Sequence, residues 1–217
     1  MFELTLTFDN GPEPSVTPAV LDVLAHHGVS TTFFVIGRKL QDPAARACAE
    51  RARAEGHWIG NHTWSHALPL GEQPGAEAAK REIGCTQAEI GALSCQPPLF
   101  RPNGGGGNLD RRLLSPEAAA LLRAGGYTCV LWNAVPRDWE HADTWVETAL
   151  AQTETAPWTL MVLHDMPTGA MRHLDRFLVE VRRRGGMFRQ DFPPVCLPIT
   201  AGTITGPLTD FVALPSF

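Results

Sequence analysis

Two histidines four residues apart, His62 and His66, stand in the polar segment Asn61-His62-Thr63-Trp64-Ser65-His66. On a helical turn or a distorted loop, that spacing lets both imidazoles face one ion, and neutral imidazole suits zinc or a related first-row metal. Two ligands do not make a site, and the plain alternative is a pair of exposed histidines. Asp9-Asn10 adds a carboxylate able to activate water beside an amide oxygen able to coordinate. Yet Asp9-Asn10-Gly11-Pro12 is also a turn-forming cluster, because Asp and Asn side chains bond to nearby backbone. His164, followed by Asp165, has an intrinsic pKa near neutrality and can give a proton to a leaving group, or can be a buried structural histidine. Asp138 can orient His164 and Arg101 can restrain Asp9; each can equally be a surface ion pair. Trp64, Trp132 and Trp139 offer apolar walls for a sugar ring or a small acyl group, as well as ordinary core.

Chemistry of this kind needs elements that bring distant positions together. Phe2 to Asp9 alternates and is rich in strand-favouring residues. Thr17-Pro18 reads as a cap with proline at the first helical position, opening a helix that Gly28 ends. Strands follow over Thr31 to Ile36, Trp58 to Gly60, Leu99 to Arg101, Tyr127 to Trp132 and Leu160 to Leu163. Between them, helices are expected from the Asp42-Pro43 cap to Glu55, over Ala76 to Leu93, from the Ser115-Pro116 cap to Ala124, and from Asp143 toward Gln152. A helix from about Arg172 to Arg184 and short apolar segments near Met187 and over Val195 to Ile199 complete the order. Asn103 to Asn108, with four consecutive glycines, is a loop. It lacks both the Lys-Ser/Thr of a P-loop and the spaced glycines of a dinucleotide fingerprint.

Alternating strands and helices permit a doubly wound sheet or a parallel barrel. Asp9, His62, His66, Arg101, Asp138 and His164 all fall at or just beyond the carboxyl ends of different strands, where a barrel gathers its chemistry. The expectation is an α/β fold, an irregular or distorted parallel (β/α) barrel, because 217 residues fall short of the roughly 250 of a regular eight-unit one. A single domain over 1–217 is expected.

Composition narrows the partners. The net charge is −5, from 23 acids against 18 bases, and no Lys/Arg block is dense enough for a nucleic-acid partner. No apolar run reaches membrane-span length, and Met1 leads straight into the first strand without a signal-like stretch, so a cytoplasmic protein is expected. Cys48, Cys85, Cys95, Cys129 and Cys196 are spaced as thiols rather than as a zinc knuckle, with a Cys85–Cys95 bridge as the alternative. No motif speaks for a particular oligomeric state.

Taken in order, Thr7-Phe8-Asp9-Asn10-Gly11-Pro12, His62-Thr63-Trp64-Ser65-His66, Arg101-Pro102, Arg137-Asp138-Trp139 and Leu163-His164-Asp165 resemble the five motifs of the NodB-like polysaccharide deacetylases, carbohydrate esterase family four. The resemblance spans most of the chain and implies the NodB-homology form of the barrel. It also implies a hydrolase that removes an N-acyl group, foremost N-acetyl, from a carbohydrate. By this resemblance Asp9 is the base, Asn10, His62 and His66 bind a divalent metal, and His164 is the general acid tuned by Asp138. Arg101 holds Asp9, Trp139 and Val162 line the acyl pocket, and the Gly104 amide stabilises the oxyanion. Zinc is the expected ion, with cobalt or manganese as substitutes, and the expected partner is an N-acylated carbohydrate or another small amide.

The chain departs from the family pattern in three places. Asn10 stands where the family has a second aspartate, which replaces an anionic ligand with a neutral one and weakens the pull on a divalent ion. Asn103 and Gly104 replace the usual proline and aromatic before Gly105. Asn133 and Val135 replace positions that are often acidic. Two further readings therefore stand beside the first: hydrolysis of a nonsugar amide, and a carbohydrate-binding or regulatory descendant with weakened catalysis.

Overall fold

The structure is a computed structural model that describes residues 1–214. Its first strand, β1 (Phe2–Asp9), shows how the fold sorts its residues, since side chains alternate between the two faces of a strand. Leu4, Leu6 and Phe8 join an apolar layer with Val20, Leu21 and Leu24 of α1 (Thr17–His27). Thr5, Thr7 and Asp9, the alternate set, are buried as well. The same alternation runs through the strand of Trp158–His164, where Met161 and Leu163 belong to that layer while Leu160 and Val162 belong to a second core with Phe34, Phe100 and Trp132. Polar side chains thus reach a protected interior on strands whose outer face is apolar.

The remaining elements are β2 (Thr32–Val35), α2 (Pro43–Ala54), β3 (Trp58–Asn61), α3 (Ala76–Ala79), α4 (Thr86–Ile90), β4 (Leu99–Phe100), α5 (Pro116–Ala124), β5 (Thr128–Cys129), α6 (Trp145–Gln152), β6 (Trp158–His164), α7 (Leu174–Arg183), β7 (Gly186–Arg189), β8 (Ile199–Thr200) and β9 (Thr203–Ile204). The sheet runs β6-β1-β2-β3-β4-β5-β8-β9, with β7 paired to the first half of β1. The ladders from β6 to β5 are parallel. The chain beyond β5 then returns to β6 through a single bridge, Ala134 to Met161. Asn133 mends that seam, its side chain accepting the Leu160 N–H at 2.7 Å and donating to the Trp158 carbonyl at 3.1 Å. The fold is the expected irregular α/β barrel, a curled sheet with helices packed outside.

Several local expectations are corrected. The Tyr127 to Trp132 segment pairs only over Thr128–Cys129, because the Arg101 guanidinium takes the Val130 and Leu131 carbonyls at 3.1 and 3.2 Å. Ala76 to Leu93 is not one regular helix: a π turn over Lys80–Cys85 separates α3 from α4. Thr17 does not cap α1, since its hydroxyl is committed to Asp165 at 2.5 Å. Asp143 lies before α6 and pairs with Arg172. The Val195 to Ile199 stretch holds a 3₁₀ turn and then β8, which forms an antiparallel hairpin with β9. Ala201 (φ 47°) and Gly202 (φ 80°) supply the two left-handed residues that such a two-residue turn requires. Asp42 and Ser115 do cap α2 and α5, accepting from the Ala44 and Ala118 N–H groups. All five cysteines are free, and no helix among the described residues is long and apolar enough to cross a membrane.

Candidate active site

β1, β3, β4 and β6 deliver their last residues to one end of the sheet. Asp9 closes β1, and the fully buried Arg101 behind it donates from Nη1 to Asp9 Oδ1 at 2.8 Å and to the Thr7 hydroxyl at 2.6 Å. The guanidinium also lies 4.1 Å above the Phe34 ring, so every part of this buried cation has a partner. Burial works to raise the Asp9 pKa, but the Arg101 charge, joined by those that His62 and His164 carry when protonated, outweighs it, and the carboxyl is held below its ordinary value of 3.8. Asp9 is therefore an anion at neutral pH.

His62 follows β3 and meets Asp9, with Nε2 3.5 Å from Asp9 Oδ2. Its Nδ1 lies 2.9 Å from the Arg101 carbonyl, which fixes the proton on Nδ1 and leaves the Nε2 lone pair facing the cavity. Burial lowers the His62 pKa, so the contact with Asp9 joins a neutral ring to a carboxylate rather than two charges. His66, whose ring centroid is 4.7 Å from that of His62, is pushed down to about 3 by burial and by His62. The two imidazoles thus have the neutral form that a metal ligand needs.

The loop between them is strained, with Thr63 at φ 66° and His66 at φ 53°. Asn61 and Glu82 hold it. Asn61 accepts the Thr63 N–H at 3.1 Å. The buried Glu82, in the π turn before α4, accepts the Trp64 and Ser65 N–H groups at 3.1 and 2.9 Å and the Ser65 hydroxyl at 3.0 Å. Trp64 does not line the cavity; its indole lies against Gly37.

On the other side, His164 ends β6 as the register partner of Asp9 in β1. The acid candidate and the base candidate therefore stand on neighbouring strands as register partners. Asp138 grips His164 twice, with Oδ1 2.8 Å from Nδ1 and Oδ2 accepting the backbone N–H at 2.9 Å. Burial opposes a charged His164, yet the bond to Asp138 and that carboxylate's charge prevail and raise the pKa above 6.5. Trp139 sets its ring edge-on to His164, centroids 4.7 Å apart. Directly behind, burial pushes the Asp165 carboxyl up to about 7, and its oxygens lie against Gly11, where a Cβ would collide at 2.2 Å.

Asp9, Asn10, His62, His66, Gly104, Trp139, Val162 and His164 line one cavity of about 190 Å³, while Arg101 and Asp138 stand behind it. Asn103, Gly105, Gly106, Gly107, Trp132, Val135 and Met166 complete the wall. Sequence reasoning missed Glu82, Asn103 and Met166 as contributors. Met166 was within reach, two residues past His164, whereas Glu82 reads as one more polar residue of a helical stretch.

The residues present fit a divalent cation. Asn10 sits in the left-handed region at φ 71°, and among the described residues its buried Oδ1 has no hydrogen-bond partner while its Nδ2 reaches only Met166 Sδ at 3.5 Å. A buried amide oxygen left unpaired costs free energy that a cation would recover. A tighter grouping of donors, His26, His27 and Asp175, lies at the surface, but there the His27 to Asp175 hydrogen bond of 2.8 Å already joins α1 to α7.

Comparison with known proteins bears on the family and the fold. Residues 2–125 match the family described as polysaccharide deacetylase. The chain is 28% identical over 186 residues to a peptidoglycan-N-acetylglucosamine deacetylase of Listeria monocytogenes, covering 85% of this chain but only 37% of that relative's length. It is 36% identical over 162 residues to a chitooligosaccharide deacetylase of Rhizobium leguminosarum bv. trifolii, covering 74% of this chain and 70% of the relative. A family 4 acetyl xylan esterase from Clostridium thermocellum, solved with a cobalt ion, superposes with a TM-score of 0.71 at 26% identity over 87% of each chain. With more than half its length matched and its strand exits gathered as described, the chain belongs to the polysaccharide deacetylase family.

Proposed function

We propose that this protein, working as one catalytic domain, hydrolyses the N-acetyl group of an N-acetylglucosamine-containing saccharide with a divalent metal held by Asn10, His62 and His66. The observation that carries the reading is the unpaired Asn10 oxygen sharing one cavity with two neutral imidazoles, an anionic Asp9 and a His164 of raised pKa. When bound there, a zinc ion, or cobalt or manganese in its place, polarises the acyl carbonyl and lowers the pKa of water. Asp9, kept ionised by Arg101, accepts a proton from the attacking water. Negative charge then develops on the acyl oxygen, where the Gly104 N–H donates to it. His164 passes its Nε2 proton to the departing nitrogen, while Asp138 holds Nδ1 and stabilises the imidazolium before that transfer. The carbon–nitrogen bond breaks, giving acetate and a free amine.

The cavity also bears on the substrate. About 190 Å³ is less than the roughly 300 Å³ at which pockets begin to enclose a drug-sized ligand, so it takes the acylamino end and leaves the sugar chain outside. Val162 and Trp139 are the apolar groups beside His164 against which an acetyl methyl packs. The curated relatives act on chitooligosaccharide and on peptidoglycan N-acetylglucosamine, which supports the same class for this chain. The test is acetate release from chitooligosaccharides and peptidoglycan fragments by protein supplied with zinc, cobalt or manganese. Turnover is expected, with a loss of about a hundredfold or more in Asp9→Ala. Equal turnover by Asp9→Ala removes Asp9 from the base role. Cleavage of nonsugar N-acyl amides alone replaces the substrate class.

A further inference from the structure

The four-glycine loop departs most from the family pattern, and its neighbours show how a segment without side chains keeps one shape. Asn103 is buried and bonds in both directions: Oδ1 accepts the Gly105 N–H at 2.9 Å, and Nδ2 donates to the His66 carbonyl at 3.2 Å. At the far end, Trp132 Nε1 donates to the Gly107 carbonyl at 3.2 Å. The tip of the same indole lies on Gly104, where a Cβ would stand 2.6 Å from Cζ2 and Cη2. Asn108 closes the turn by donating its backbone N–H to the Gly104 carbonyl at 3.0 Å. The Gly104 N–H has no acceptor among the described residues, and Gly104 borders the cavity.

Glycine loses more conformational entropy on ordering than any other residue, so four in a row keep one geometry only if side chains elsewhere impose it. We infer that Asn103 and Trp132 are positioning residues that together aim the Gly104 N–H at the reacting acyl oxygen, Asn103 by tying the loop to the His66 carbonyl and Trp132 by filling the space over Gly104. This rests on the hydrolytic reading, in which Gly104 donates to the oxyanion. It also accounts for the pairing of glycine at 104 with a large ring at 132: a side chain at 104 and this placement of Trp132 exclude each other.

The test uses metal-loaded full-length protein acting on a chitooligosaccharide. Because an oxyanion donor acts chiefly in the transition state, Asn103→Ala should lower kcat about tenfold or more with KM changed less than about threefold. Bound metal and thermal midpoint should match those of the wild type. Asn103→Asp, which keeps the oxygen facing Gly105, should recover part of the loss. Trp132→Phe, which keeps a ring but loses the bond to Gly107, should also lower kcat, and the two losses combined should be less than multiplicative because both act through one N–H. A kcat for Asn103→Ala within about twofold of wild type, or a loss that follows bound metal or KM instead, overturns the inference. Absence of turnover in the wild type counts against the hydrolytic reading separately. The loop is then read by nitrogen-15 glycine labelling: broadened or doubled amide resonances of Gly105 to Gly107 in Asn103→Ala support the loss of a single loop shape, and sharp single ones overturn the positioning role.

Discussion

At the scale of single residues, the site is a set of charges made tolerable by their neighbours. Asn10 is the position where a small change should be most visible. Its oxygen is buried and unpaired among the described residues, so under the proposed metal site Asn10→Asp adds a negative charge where the chain offers a neutral amide oxygen. That substitution should tighten zinc binding by about tenfold or more, read by competition with a chromogenic chelator; unchanged affinity would place the ion elsewhere. His164 offers a second test through pH. As an acid it works protonated, so activity falls as pH rises through its pKa, and Asp138 is what lifts that pKa. Asp138→Asn should therefore move the alkaline limb of the kcat/KM profile to lower pH, and a limb that stays in place would assign it to another group. These residues were legible in the sequence because each stands in a short motif at or just beyond a strand end, and the motifs occur in one order along the chain. Asn103 was not, since its role comes from contacts with His66 and Gly105 that only the folded loop creates.

At the scale of elements, the loops carry the function and the strands and helices hold them. The alternation of β1 was readable, whereas β6 is a continuous apolar run, and it is the register Asp9 to His164 that places both residues on the interior face. What was not readable is where the regular pattern breaks. The Tyr127 to Trp132 strand ends early because a side chain from β4's exit takes its carbonyls, and the helix before α4 opens into a π turn that aims Glu82 at the histidine loop. Such turns recur at functional sites because they re-aim one side chain without ending the helix. Outer partners of metal ligands are typically worth about 10 to 100-fold in affinity. Glu82→Ala should therefore weaken metal binding by that order, measured by calorimetry, with Glu82→Gln intermediate because it keeps one acceptor. Full affinity in Glu82→Ala would show that the strained loop at Thr63 and His66 needs no such support.

At the scale of the whole molecule, a barrel that closes through one bridge and one asparagine places an anion, two neutral imidazoles and a raised-pKa histidine around a single small cavity. The order of strands and helices gave the fold class away, since each cap and breaker is a local signal. Closure and the antiparallel β8–β9 hairpin did not show, because they depend on Asn133 reaching β6 and on a two-residue turn at Ala201-Gly202. Under the proposed function, this cavity is a metal-dependent deacetylase centre. Its most direct test is acetate release from an N-acetylated chitooligosaccharide by one protein preparation, first stripped of metal and then resupplied with zinc. Turnover that is absent in the stripped protein and returns with about one equivalent of zinc, while circular dichroism stays constant, is the predicted result. Turnover that persists undiminished without metal, or none under any metal, would contradict it.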